Sequence, residues 1–146
     1  MKKLALTDFT KYRYPSALEL SPDGRYLTFA LKEVDREGDG YRWNLWLYDL
    51  ESRESRQITR GDHQRQAVWE DNTHILYKTT ELDEVMQARG FEEEWTVYHR
   101  LNVCTGEECE AFRLPMSVSG LWKMDEGRYV FTGETHLDRP NLLELT

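Results

Sequence analysis

The sequence contains a unit of short strand-like segments that occurs twice and then begins a third time. The three copies align on the turn residues Gly24, Asn72 and Gly127, which are 48 and 55 residues apart. Self-similarity at roughly 40–50 residues, with several short strands in each copy, is typical of the blades of a β-propeller. A single blade cannot bury both of its faces, so blades must stack. The repeat therefore predicts an all-β fold, a partial β-propeller.

Each copy begins with a short apolar segment, continues through a polar turn, and then enters a segment rich in aromatic and β-branched residues. Asp, Asn and Gly in the turns tolerate left-handed backbone and bond locally to the main chain. Aromatic and β-branched segments fit pleated, half-buried strands. The predicted strands are Ala17–Leu20, Tyr26–Leu31, Asn44–Ser52 and Arg56–Thr59, then Ala67–Trp69, Ile75–Thr79, Thr96–Gly106 and Glu110–Pro115, then Leu121–Lys123, Tyr129–Thr132 and Asn141–Thr146.

These eleven strands make two complete four-stranded antiparallel blades and most of a third. The first blade covers about 16–60, the second about 65–115, and the incomplete third about 119–146. The apolar run Leu45–Tyr48 predicts a strand that is covered on both faces. We expect the chain to be a fragment of a longer propeller protein.

Composition and charge restrict the partners and the compartment. The 146 residues carry 19 basic and 27 acidic side chains, a net charge of −8. No basic run stands out, so nucleic acid and anionic membrane are not expected partners. No apolar stretch approaches the ~20 residues of a membrane helix. The start Met1–Leu6 resembles a signal peptide, but its apolar run is too short for one, and we expect a cytoplasmic protein.

Two charged segments interrupt the strand pattern at equivalent points of the two complete copies. They are Lys32–Arg42 and Glu81–Glu94, and both are predicted to be long loops. Leu82, Val85 and Met86 fall near helical spacing, which favours a short helix within the second segment. Such loops are either solvated decoration or the contacts of one rim with a neighbouring domain or ligand, because function tends to lie on loops held by a rigid scaffold.

The catalytic residues of a serine hydrolase are not recognisable in the sequence. A Gly-x-Ser-x-Gly elbow provides the strained turn that exposes such a nucleophile, and the nearest segment, Ser117–Gly120, lacks the flanking glycine. The four histidines lie in separate segments, with no pair at metal-ligand spacing: His63 and His136 in predicted loops, His74 and His99 on predicted strands. We therefore predict no catalytic residue, no metal site and no cofactor in this chain.

Cys104 and Cys109 flank a predicted turn between the third and fourth strands of the second copy. They are interpreted as free thiols, with a disulfide across the hairpin as one alternative. Zinc is the other, but it needs two further ligands and there is no second cysteine pair.

Glu92, Glu93 and Glu94 form the carboxylate cluster beside an aromatic residue, Trp95. Carboxylates and an aromatic face hold an ammonium group through charge and cation–π contacts, so these residues are candidates for binding a substrate amino group. The alternative is that they are the exposed end of the predicted loop helix.

The first copy resembles the N-terminal propeller of the prolyl oligopeptidase family of serine peptidases. The resemblance lies in Ser21–Phe29, the charged segment that follows, and Asn44–Asp49. Gly90–Tyr98 and Ala111–Pro115 of the second copy extend it, and it is strongest to the acylaminoacyl-peptidase and dipeptidyl-aminopeptidase-like members. The resemblance covers the chain from about residue 12 to 146. The Ser-Pro-Asp-Gly turn also occurs in other propellers, including the Tol-system protein.

The resemblance implies a parent protein in which a propeller covers an α/β-hydrolase domain that holds the Ser-Asp-His triad. In that arrangement the propeller admits short peptides and excludes folded proteins. Partners would be the hydrolase domain, the remaining blades and short peptides, and we expect the fragment to self-associate. Glu92–Glu94 resembles the glutamate pair with which some dipeptidyl peptidases hold a substrate amino terminus, although the preceding residues differ. A non-enzymatic propeller module that binds a protein partner is the alternative function.

Overall fold

The computed structural model describes residues 5, 8–35 and 37–136, and the chain divides after Asn72 into two compact units. The predicted strand Asn141–Thr146 lies outside the described residues. Among the described residues, each of the other ten segments predicted to be strands overlaps an observed strand. The fold is all-β, and its sheets are antiparallel meanders in which consecutive strands are neighbours.

The first unit contains one four-stranded antiparallel sheet with the strand order β1-β2-β3-β4. Its strands are β1 (Tyr14–Leu20), β2 (Tyr26–Asp35), β3 (Gly40–Asp49) and β4 (Glu54–Gln57). A short strand, β5 (Val68–Trp69), ends this unit. All four strands predicted for the first copy are therefore present.

The second unit adds the strands of the second and third copies. They are β6 (His74–Leu82), β7 (Glu94–Asn102), β8 (Glu108–Leu114), β9 (Ser117–Lys123) and β10 (Tyr129–Glu134), with one helix, α1 (Glu84–Ala88). The second four-stranded sheet has the order β5-β6-β7-β8, and β9 and β10 form a two-stranded antiparallel sheet. The partial propeller predicted by the repeat is confirmed.

The turn at Gly24 shows how the Ser-Pro-Asp-Gly segment of the first copy reverses the chain. Gly24 has a φ of +72°, which favours glycine. The Asp23 carboxylate accepts hydrogen bonds from Ser21 Oγ (2.7 Å) and from the Arg25 amide (3.1 Å). The amide of Tyr26 in turn donates to Ser21 Oγ at 2.9 Å. These bonds fix the reversal between β1 and β2.

The core of the first unit lies on one face of β3. Leu45 and Leu47 are buried, whereas Trp46 and Tyr48, which point the other way, are only half-buried. The prediction that both faces of Leu45–Tyr48 are covered is therefore met fully on the Leu45 face and in part on the Trp46 face. Trp46 stacks on Phe29 of β2, with ring centroids 6.5 Å apart, so its face is partly covered by aromatic contact.

The prediction of a long loop at Lys32–Arg42 is wrong. β2 and β3 both extend into the segment that was expected to be a loop, with Lys32 opposite Trp43 and Asp35 opposite Gly40. Residues 37–39 of the short connection between the two strands form a turn. Two of the charges of this segment, Glu33 and Arg42, are cross-strand partners of opposite sign, which a strand tolerates.

Candidate functional site

The connection between β6 and β7 forms a short ordered motif. Asp83, which is buried, caps α1 by accepting hydrogen bonds from the amides of Val85 (3.0 Å) and Met86 (3.1 Å). Met86 is fully buried, and its carbonyl accepts from the Phe91 amide at 3.0 Å. Gly90, with a φ of +87°, ends the helix. The predicted helix is confirmed, and it leads directly into Glu92–Glu94.

The three predicted site glutamates occupy three different environments. Glu92 is exposed, and Glu94 begins β7 opposite Leu82. The Glu93 backbone carbonyl accepts from the Asp83 amide at 2.8 Å. The Glu93 carboxylate lies 3.5 Å from His136 Nε2, and the His136 ring is 4.5 Å from that of Phe91. Amino-group binding by Glu92, Glu93 and Glu94 stays a prediction, with Glu93 the most enclosed carboxylate.

Trp95 faces an arginine of the same unit. The guanidinium carbon of Arg113 lies 6.0 Å from the Trp95 ring centroid. Arg113 binds both oxygens of Glu110 at 2.8 Å and one oxygen of Glu81 at 3.2 Å. Its hydrogen bond to Glu110 lowers the pKa of that carboxyl. Arg113 thus supplies internally the cation that the sequence suggested a substrate would bring to this tryptophan. Glu94 is one residue from Trp95 on β7 and therefore points to the opposite face.

A polar network in the second sheet was not predicted from the sequence. The Tyr77 hydroxyl donates to Glu108, and the Tyr77 ring stacks on His99 at 5.2 Å. His99 Nδ1 lies 3.7 Å from the same carboxylate, and Nε2 is 2.8 Å from Thr79 Oγ1. Burial, and then the bond to Glu108, raise the pKa of Tyr77. A phenol with a raised pKa stays protonated, so Tyr77 remains a hydrogen-bond donor to Glu108 and the network orders the sheet. Tyr77 is the cross-strand partner of His99, and Thr79 lies two residues further along β6 on the same face.

The structure gives Ser119 no histidine partner. Its Oγ contacts the carbonyl of Thr132 at 3.1 Å and the Thr132 hydroxyl at 2.9 Å. His74 and His99 lie on strands, and His63 and His136 lie outside them. Ser119 therefore lies in a cross-strand polar pair.

Both cysteines are exposed, and they are thiols that form no disulfide with each other. Cys109 pairs with Arg100 in the β7–β8 ladder, whereas Cys104 lies in the turn that follows Asn102. A disulfide would require the two residues to face each other across the hairpin, and they do not. The described residues contain no group of three or more His, Cys, Asp or Glu side chains placed to hold a metal ion. Nor do they include a helix long and apolar enough to span a membrane.

The fold defines the chain as a β-propeller segment. It is similar to the solved β-propeller domain of the Trilobed protease from Pyrococcus furiosus, which has an open velcro topology, with a TM-score of 0.58 and 13% identity. It is also similar to Pyrococcus horikoshii acylaminoacyl peptidase, with a TM-score of 0.65 and 12% identity. No protein-family model matches the chain, and no curated protein sequence matches it.

The chain spans only part of each of these solved structures. The similarity covers 84% of this chain and 34% of the Trilobed protease domain, and 92% of this chain and 19% of the acylaminoacyl peptidase. At these identities the likeness shows the fold. The structural similarity therefore supports the propeller fold that the sequence resemblance implies.

Proposed function

We propose that this chain is part of the propeller of a serine peptidase of the prolyl oligopeptidase family, and that it takes no direct part in the chemistry. The observation that carries the proposal is the fold similarity to acylaminoacyl peptidase over 92% of the chain. It coincides with the residue-level resemblance of Ser21–Phe29 and Gly90–Tyr98 to the same family.

In the whole protein, this segment would help to restrict the catalytic site to short peptides. A hydrogen-bonded sheet is rigid, so a wall built from such sheets excludes a folded protein while an extended peptide passes its rim. The partners would be an α/β-hydrolase domain and further blades, and the substrates would be short peptides.

The first experiment measures activity of the 146-residue chain and of the complete product of its gene. We expect no hydrolysis of chromogenic aminoacyl or peptidyl substrates by the chain. The complete product should hydrolyse them and react with a serine-directed fluorophosphonate. Turnover by the chain that the same reagent abolishes would contradict the non-catalytic role. A complete product that neither reacts nor hydrolyses, and that lacks a Gly-x-Ser-x-Gly elbow, would favour a protein-binding propeller instead.

The access role has its own test, because β7 separates two loops at opposite ends of one sheet. In the complete gene product, the connection 83–93 is shortened to a glycine-rich turn, and the matched control replaces the turn 103–107. We expect the ratio of kcat/KM for long to short peptides to rise for only one of the two variants. Identical ratios in both variants and in the unchanged protein would contradict a contribution of this blade to size selection.

A further inference from the structure

A cleft of about 400 Å³ lies in the first unit, beside the extended β2–β3 hairpin. Its charged lining consists of Lys11, Arg13, Glu33, Asp35, Glu37 and Arg42. Ligand pockets of proteins are typically ~300–1,000 Å³, so the cleft has the volume of a small-molecule site. The cleft carries both signs of charge. Arg42 lies opposite Glu33 in the ladder, and the carboxylates of Asp35 and Glu37 lie further towards the hairpin turn.

The positive end of the cleft is built by two arginines that share one carboxylate. Arg13 Nε lies 2.8 Å from Glu33 Oε1, and Arg42 Nε lies 3.4 Å from Glu33 Oε2. Each guanidinium has five N–H donors. Apart from these contacts, the described part of the chain offers Arg13 and Arg42 no ion pair. The cluster therefore keeps a net positive charge and terminal N–H groups able to bind a second carboxylate.

The negative end of the cleft lies at the hairpin turn. Asp35 Oδ1 accepts hydrogen bonds from the amides of Glu37 and Gly38, both at 3.1 Å, which fixes the carboxylate. Within the described residues neither Asp35 nor Glu37 forms a salt bridge. Two carboxylates that form no salt bridge within residues 8–35 and 37–136 favour an ammonium group.

The separation of the two ends selects the length of the ligand. Arg42 is the cross-strand partner of Glu33, and Asp35 is two residues further along β2 on the same face, so Arg42 and Asp35 are about 6.7 Å apart along the strand. Two extended peptide residues span about 7 Å. We propose that this cleft binds a zwitterionic dipeptide, with its carboxylate on Arg13 and Arg42 and its ammonium group on Asp35 and Glu37. The proposal stands whether or not the parent protein is a peptidase.

Titration calorimetry on the 146-residue chain at low ionic strength tests the site with alanyl-alanine. We expect binding that weakens as salt is added, because the contacts are charged and partly exposed. N-acetyl-alanyl-alanine and alanyl-alanine amide each lack one charge and should bind at least about tenfold more weakly, the loss expected for one charge-assisted hydrogen bond. No binding of alanyl-alanine at low millimolar concentration, or equal affinity for the blocked analogues, overturns the proposal.

Variants place the ligand in the cleft. Arg42→Gln should weaken alanyl-alanine binding at least about tenfold. The matched control is Arg25→Gln, because Arg25 is equally exposed at 46% and, like Arg42, forms salt bridges with carboxylates, in its case those of Asp49 and Glu51. This control should leave the affinity unchanged. Equal effects of the two substitutions overturn the assignment.

A second variant keeps the test valid if Arg42→Gln disturbs the ladder. Glu37 lies in the turn outside the β2–β3 ladder. Glu37→Gln should therefore leave the fold intact, as checked by circular dichroism. It should weaken alanyl-alanine several-fold and leave the already weak N-acetyl analogue unchanged, because that analogue has no ammonium group. Unchanged affinity for alanyl-alanine overturns the ammonium half of the proposal.

Discussion

The hydroxyl of Thr96 donates a hydrogen bond of 2.7 Å to the backbone carbonyl of Met116. The same oxygen accepts one of 3.0 Å from the amide of Val118. Thr96 is fully buried in β7, and Val118 is buried in β9. A single side-chain oxygen therefore satisfies two main-chain groups where the second sheet meets the strand that follows it, and buried main-chain groups need such partners.

Replacing Thr96 with valine, which has nearly the same shape, should lower the free energy of unfolding. Thr96→Val keeps the volume but leaves the Met116 carbonyl and the Val118 amide without their partner. Each unsatisfied buried group costs about 1–3 kcal/mol, so we expect the free energy of unfolding to fall by about 2–4 kcal/mol. Urea denaturation followed by circular dichroism measures the change.

The matched control lies directly across the ladder. Thr80 of β6 is the strand partner of Thr96 and is exposed. Thr80→Val should change the free energy of unfolding by no more than about 0.5 kcal/mol. Equal losses in the two variants would contradict the role assigned to the Thr96 hydroxyl.

The cap of α1 gives a second prediction, local rather than global. Asp83→Ala removes the acceptor for the Val85 and Met86 amides. Loss of such a cap costs about 1 kcal/mol, so these amides should exchange with solvent faster. Amide hydrogen exchange read by NMR should leave Val97, in the middle of β7, unchanged.

Asparagine provides the control for the cap, because its side-chain oxygen caps helices as well as aspartate does. Asp83→Asn should restore slow exchange at Val85 and Met86. If asparagine opens the helix as much as alanine does, the capping hydrogen bonds are not what holds α1.

High pH should destabilise the fold through two buried tyrosines. Burial raises the pKa of Tyr98 to about 12, and burial with the Glu108 contact raises that of Tyr77. The folded state therefore holds these phenol protons more tightly than the unfolded state, whose tyrosines titrate near 10. The stability this provides is present below about pH 10 and is lost as pH rises through the folded pKa.

Phenolate absorbance measures this titration in the native and the urea-unfolded chain. The protein has 8 tyrosines, and we expect a late phase that is present only in the native state. Tyr98→Phe should reduce its amplitude. A native titration that coincides with the unfolded one would rule out the effect.

The strands were predictable because local chemistry specifies them. Gly24 and the Asp23 side chain form the turn that the sequence indicates, and aromatic and β-branched segments follow it. Lys32–Arg42 was misjudged because high charge density usually indicates solvated loop. Here Glu33 is neutralised across the ladder by Arg42, and Lys32 lies 3.8 Å from the Tyr41 ring centroid.

The candidate site was less predictable because its contacts are long-range. Arg113 reaches Trp95 and Glu81 through the pairing of β7 with β8, which contains a register shift between Tyr98 and His99. Sequence spacing does not reveal such a shift. The contact of Glu93 with His136 is unpredictable for the same reason, because four strands separate the two residues along the chain.

Self-association is the last prediction, and it follows from apolar side chains on the two-stranded sheet. Trp122 of β9 and Val130 of β10 are cross-strand partners, and each is 51% exposed. Met124, two residues beyond Trp122, is also exposed. Exposed apolar patches beyond a few hundred Å² favour association, and an unpaired strand edge is a template for a second chain. Leu143 and Leu145, expected to add to this surface, lie outside the described residues.

We expect the chain to associate with a second copy of itself, so light scattering at micromolar concentration should report a mass above 17.4 kDa. Val130→Lys places a charge in the patch and should shift the chain towards the monomer, because a buried unpaired charge opposes association. Thr80→Lys makes the same change in charge at an exposed site on β6 and should leave the mass unchanged. A single species near 17.4 kDa for the unsubstituted chain would show that this surface does not pair.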